Sequence, residues 1–123
     1  MMMSAFSATS VLVAQIQNGV NETLNLAQKL GISIDNFADA VAAGGAQNFY
    51  MNAQRDKLKN EDWTTAFSLE NMCKDITICS RISEEMDFEM PGMRAAKAAI
   101  DKDMERGWGK EDFRQTYRIV RGD

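Results

Sequence analysis

The chain has 123 residues, 45% apolar and 26% charged, which fits one compact domain of ordinary globular composition. Fourteen basic against eighteen acidic side chains leave a net charge of −4, so the basic stripe that a duplex nucleic-acid binder needs is missing. Histidine is absent altogether, which excludes Ser-His-Asp and Cys-His nucleophile systems and histidine metal sites.

Leu12, Ile16, Val20, Leu24 and Ala27 recur in steps of four and three and predict a helix from about Ser4 to Leu30, stopped by Gly31. Such a helix runs about 40 Å at 1.5 Å per residue. Its other side carries Gln17, Asn18, Asn21, Asn25 and Gln28, polar but uncharged. Gly19 in its middle costs about 1 kcal/mol against alanine. It is either a neutral position or the mark of close approach by a helix, a ligand or a second subunit.

Ser33 or Asp35 can cap a second helix with Phe37 and Val41 inside, ended by Gly44-Gly45. Residues 46–59 form a third, with Phe49 and Ala53 on one face and Arg55, Lys57 and Lys59 near its C-terminus. After the polar break Asn60-Glu61-Asp62, Ser68 caps a fourth helix, with Glu70 in its first turn and Phe67 packing on Met72. It runs to about Met86 or Asp87. Pro91 opens a fifth, with Met93, Ala96, Ile100 and Met104 inward and Gly107 as its stop. The last helix starts near Lys110, buries Phe113, Tyr117 and Val120, and ends with Arg118 and Arg121. No segment alternates as a half-buried strand does. The fold class is all-α, about six helices with a long first one.

Chemistry-bearing motifs are sparse. Gly44-Gly45 is isolated, and Gly107-Trp108-Gly109 lacks a third glycine, so no Rossmann or phosphate-loop fingerprint is present. Cys73 and Cys79 lie about 120° apart on a helix and cannot bridge. With no CxxC and no other ligand cluster, no metal site is expected, and the thiols suit a reduced cytoplasmic protein. No signal peptide and no membrane-spanning run are seen. Lys74 interrupts the apolar positions Leu69, Met72, Cys73, Ile76 and Ile78, either as a snorkelling surface residue or as a charge held for a ligand. Trp63 and Trp108 are read as packing residues.

Three motifs carry a family resemblance from about residue 11 to the end: Glu22-Thr23-Leu24-Asn25-Leu26-Ala27 with Gly31; Phe67-Ser68-Leu69 followed by Lys74-Asp75; and Gly107-Trp108-Gly109-Lys110-Glu111-Asp112-Phe113. In order and spacing they resemble the C-terminal helical domain of the β-hydroxyacid dehydrogenases. That group includes 3-hydroxyisobutyrate dehydrogenase and tartronate semialdehyde reductase and is related to 6-phosphogluconate dehydrogenase. The resemblance implies a single helical substrate and dimerisation domain over residues 1–123, fed by a long helix from a Rossmann domain absent from this chain. It implies NAD or NADP as cofactor, a small hydroxyacid as substrate, and a homodimer.

By the same resemblance Lys74 reaches the nicotinamide end of the cofactor, while Phe67 and Asp75 line the substrate pocket. Asp75 can equally be a structural partner. The family's catalytic lysine falls upstream of Met1, so no catalytic residue is expected in this chain, which alone would be catalytically incomplete. Ser4 then stands at the family's asparagine position beside the substrate, a departure from the pattern. The alternative is a non-catalytic helical self-association module, its interface marked by the uncharged polar side of the first helix and Gly19.

Overall fold

The computed structural model describes residues 5–123, with side chains from residue 8 onward. Six α-helices and one 3-10 turn follow in order: α1 (Ala5–Lys29), α2 (Ile34–Ala42), α3 (Phe49–Lys59), α4 (Leu69–Glu85), α5 (Pro91–Glu105), the turn Phe113–Gln115, and α6 (Thr116–Arg121). The long first helix, about 37 Å at 1.5 Å per residue, is the axis of the domain. Each of the other five helices packs on it. The all-α fold with a long first helix is therefore as expected.

Local chemistry sets most helix ends. The side chains of Ser33, Asn48 and Ser68 accept from the amides of Asn36, Met51 and Asn71 at 3.1, 2.7 and 3.3 Å, satisfying first-turn donors. Pro91 opens α5. Gly31 (φ 84°) and Gly107 (φ 83°) turn left-handed so that Ile32 and Trp108 donate back to the carbonyls of Ala27 and Asp103. The polar break after α3 uses the same device with Glu61 at φ 50°, and α4 ends likewise at Asp87, φ 51°.

Three inward faces differ from the sequence expectation. On α1, Leu12 is 58% exposed, whereas Val11, Ala14, Val20, Leu24 and Ala27 are buried together with Gln17, Asn21 and Asn25. The cause is coverage on two sides: α4, α5 and α6 all lie against this helix, so the polar side is enclosed too. Its amides are bonded there, except that the Gln17 side-chain oxygen has no partner among the described residues. Asn21 bonds the Thr116 hydroxyl at 2.8 Å and also pairs with Gln17, and Asn25 donates to the Asn21 carbonyl at 2.7 Å. Gln17, Asn21 and Asn25 of this side form an internal seam, which does not favour it as a subunit interface, while Asn18 is half-buried and Gln28 exposed. Gly19 is exposed, and a side chain built there would meet nothing within 4 Å.

On α3, Phe49 is 86% exposed and Ala53 is exposed, while Tyr50, Met51 and Leu58 face the core. Asn48 as N-cap fixes the register one residue on from the expected one. On α5 the fourth inward side chain is Asp103, with Met104 only half-buried. The last helix also starts later than Lys110, because Asp112 is held by side-chain bonds to residues 66 and 67 and caps the 3-10 turn at Arg114. Val120 stays half-exposed, and Arg114, Gln115 and Thr116 are buried instead. Cys73 and Cys79 are not joined to each other by a disulfide. Among the described residues no helix is long and apolar enough to cross a membrane, and no group of three His, Cys, Asp or Glu could hold a metal.

Candidate functional site

Two of the three motifs lie side by side. The amides of Leu69 and Glu70, the first two residues of α4, donate to the carbonyls of Glu111 (2.8 Å) and Gly109 (2.7 Å), and Phe113 donates back to Phe67 (3.0 Å). First-turn amides usually need caps or water. Here the loop 109–111 serves them, which fixes both the start of α4 and the Phe67 backbone.

Asp112 locks this junction. One carboxylate oxygen accepts from the amides of Ala66 (2.9 Å) and Phe67 (3.3 Å). The other accepts from the Arg114 amide (2.9 Å) and from its Nε (2.7 Å), and Arg114 also donates to the Thr64 carbonyl at 2.7 Å. Both side chains are 1% exposed. Burial pushes the Asp112 carboxyl up, but the bonds from the Arg114 side chain and from the amides of Ala66 and Arg114 outweigh it and hold the group below its ordinary value. It stays ionised and fully engaged.

Above this junction, between α1 and α3, opens a largely apolar cleft of about 430 Å³. Ser10 and Val13 of α1, Tyr50 and Gln54 of α3, and Phe67, Met72 and Phe113 line it. The Phe113 ring meets Phe67 edge-on at 6.0 Å and Tyr50 at 5.8 Å. The Tyr50 hydroxyl and the Gln54 side-chain oxygen are buried without a hydrogen-bond partner among the described residues. Burial, aided by the nearby Asp112 charge, raises the Tyr50 hydroxyl well above its usual value, so it remains a donor. The cleft can hold an apolar or planar group and offer it one donor and one acceptor. It contains no group poised to exchange a proton near neutrality.

Of the site residues expected from the sequence, Phe67 lines this cleft. Lys74 does not. It stands exposed on the next turns of α4 and makes no ion pair among the described residues. Asp75, about 100° further round the helix, is half-buried, and after burial its charge is the second cause raising the Cys79 thiol. Ser4 lies outside the described residues. Trp63 and Trp108 pack as expected, against the Arg118 guanidinium at 5.9 and 4.6 Å. Tyr50, Gln54 and the Asp112–Arg114 pair were not singled out from the sequence. Only Asp112 left a signal there, as the last charged position of the third motif.

The profile of a family described as NAD-binding of NADP-dependent 3-hydroxyisobutyrate dehydrogenase matches residues 7–120. Glyoxylate/succinic semialdehyde reductase 1 of Arabidopsis thaliana is 26% identical over 112 residues, covering 91% of this chain and 39% of that protein. The fold superposes on 3-hydroxyisobutyrate dehydrogenase of Salmonella typhimurium with a TM-score of 0.85 at 19% identity, over 92% of this chain and 40% of the other. It also superposes on the Mycobacterium tuberculosis 3-hydroxyisobutyrate dehydrogenase studied with L-serine, with a TM-score of 0.84 at 20% identity, over 96% and 43%. The chain thus spans about two-fifths of the length of these relatives.

Proposed function

Because the chain belongs to the 3-hydroxyisobutyrate dehydrogenase family, we propose that it is the helical substrate and dimerisation domain of an NAD(P)-dependent β-hydroxyacid oxidoreductase. The observation that carries this reading is the aromatic cleft at Phe67, built by two of the family motifs, whose carboxylate, Asp112, is ionised and taken up by Arg114 and backbone amides. Such a cleft binds and orients, and needs a second domain to complete the reaction.

The partner is a Rossmann domain outside these 123 residues, carrying NAD or NADP and the lysine that takes the substrate hydroxyl proton. The nicotinamide, when bound, supplies or accepts the hydride at the hydroxyl-bearing carbon. The residues of this chain fit that group: Phe67 and Phe113 offer ring faces, and Tyr50 and Gln54 offer unsatisfied polar atoms suited to a carboxamide or a small hydroxyacid. Phe67 and Phe113 keep water from the reacting carbon. Lys74, a cation without an ion-pair partner among the described residues, approaches the nicotinamide end as a point charge. Asp75 and Ser4 complete the substrate side. Leu12 and Leu26, exposed seven residues either side of the open Gly19, with Leu30 one turn on, support a homodimer seam along α1. Two cysteines not joined in a disulfide suit a cytoplasmic setting.

The test is steady-state kinetics of the two-domain enzyme with Lys74→Ala and Phe67→Ala beside the wild type. Loss of one charge-assisted contact predicts a fall in kcat/KM of about tenfold or more for Lys74→Ala. Phe67→Ala should act mainly on KM. A kcat/KM unchanged by Lys74→Ala would remove that residue from the site.

A further inference from the structure

Where α5 and α6 end, away from every residue lining the cleft, three arginines converge on one residue. Arg121 grips the Asp123 carboxylate with two donors, Nε at 2.9 Å and Nη2 at 2.6 Å. Arg118 Nε reaches the same carboxylate at 3.1 Å, and Arg106 donates to the Asp123 backbone oxygen. The two carboxylate oxygens and the backbone oxygen of one residue are thus each met by a guanidinium.

The guanidiniums are held largely by ring faces, which leaves their N–H edges free to point at an anion. Arg118 lies over Trp108 at 4.6 Å and Trp63 at 5.9 Å, and donates to Gln115 at 3.1 Å. Arg106 lies over Trp108 at 5.4 Å, and Arg121 over Tyr117 at 5.5 Å. Glu61, paired with Arg121 at 2.9 Å, is the other carboxylate bonded to the group. Asp103, 0% exposed and raised by burial to about 7, faces Arg106 and Arg118 and offsets part of their charge at neutral pH. Without Asp123 the three cations stand against Glu61 and a partly ionised Asp103, a net positive charge suited to an anion.

We propose that Arg106, Arg118 and Arg121 form a phosphate-binding site that Asp123 fills from within the chain. Forked guanidiniums arriving from separate helices suit tetrahedral oxygens, and the ligand is free phosphate or a phosphomonoester. Asp123 acts as an internal competitor, its own carboxyl held at about 2 by Arg121 first and then Arg118.

Calorimetric titration with inorganic phosphate at fixed ionic strength and pH 7.5 tests this. Asp123→Asn should bind phosphate about fivefold or more tighter than the wild type, and adding Arg106→Gln should reverse the gain. Titration with adenosine 2′-monophosphate identifies the source: affinity equal to phosphate means the free anion, and tighter binding means a nucleotide whose ring adds to the contact. If Asp123→Asn is poorly folded, wild type and Arg106→Gln are compared by thermal shift, with a phosphate-dependent rise expected in the wild type alone. Phosphate affinity unaffected by Asp123→Asn, or a thermal shift unaffected by Arg106→Gln, would overturn the proposal.

Discussion

Arg114→Met is expected to destabilise the domain by about 3–5 kcal/mol, the cost of leaving a buried carboxylate without its cation. Asp112 and Arg114 are each 1% exposed, and their carboxylate–guanidinium contact is 2.7 Å. Removing the cation strands a charge that also serves the Ala66 and Phe67 amides. A loss of that size is a large part of the 5–15 kcal/mol that typical domains possess. Urea unfolding, with an unchanged m-value, is the measurement. The double variant Asp112→Asn/Arg114→Met should recover part of the loss, because neither charge is then stranded.

The same pair sets a pH limit. The Asp112 carboxyl lies below its ordinary 3.8 in the folded chain. Its contribution is therefore complete above that value and disappears as pH falls through the folded pKa. The steepest acid loss should be missing in the double variant.

Asp103→Asn is expected to act in the opposite direction. Asp103 is fully buried on α5, and neither carboxylate oxygen has a hydrogen-bond partner among the described residues. Burial raises the group from 3.8 to about 7, against the opposing pull of Arg106 and Arg118. In the unfolded chain it ionises near 3.8, while in the folded chain it keeps its proton until about 7. The folded state thus binds more protons between these values, and stability falls as pH rises through that window. About three pKa units at 1.36 kcal/mol each make this roughly 4 kcal/mol. Asparagine cannot ionise, so the variant should gain on the wild type by about 3 kcal/mol of this between pH 4.5 and pH 8. Denaturation at the two pH values measures it. An equal difference at both would show that Asp103 is ionised in the folded chain at both.

The helix ends were readable because their chemistry is local. Ser68, Pro91, Gly31 and Gly107 do in the structure what their residue types and spacing predict. The inward face of α1 was not readable, since the periodicity argument assumes one buried side. This helix is covered on two, and its asparagines satisfy each other and Thr116. Phe49 was misplaced because Tyr50 and Met51 follow it, and a one-residue change of register swaps which of the three is inside.

For the site, motif order brought out Phe67, and the structure places it in the cleft. Tyr50 and Gln54 join it only through the packing of α3 against α1, which no local pattern encodes. Asp112 binds amides 45 and 46 positions earlier, and Arg114 reaches Thr64 fifty positions back. Contacts of that range leave no periodic signal. Asp103 was hidden among the mixed charges of α5, which otherwise read as a solvated face.

The central claim is that this domain shapes a cleft and depends on a dinucleotide-binding domain for turnover. Its most direct test is NAD(P)-linked oxidation of small β-hydroxyacids, followed at the reduced-nicotinamide absorbance, by the chain alone and by the chain joined to the Rossmann domain of a family relative. The account predicts no turnover by the chain alone and turnover by the joined protein. Turnover by the chain alone, or a folded, cofactor-binding joined protein that oxidises none of these substrates, would contradict it.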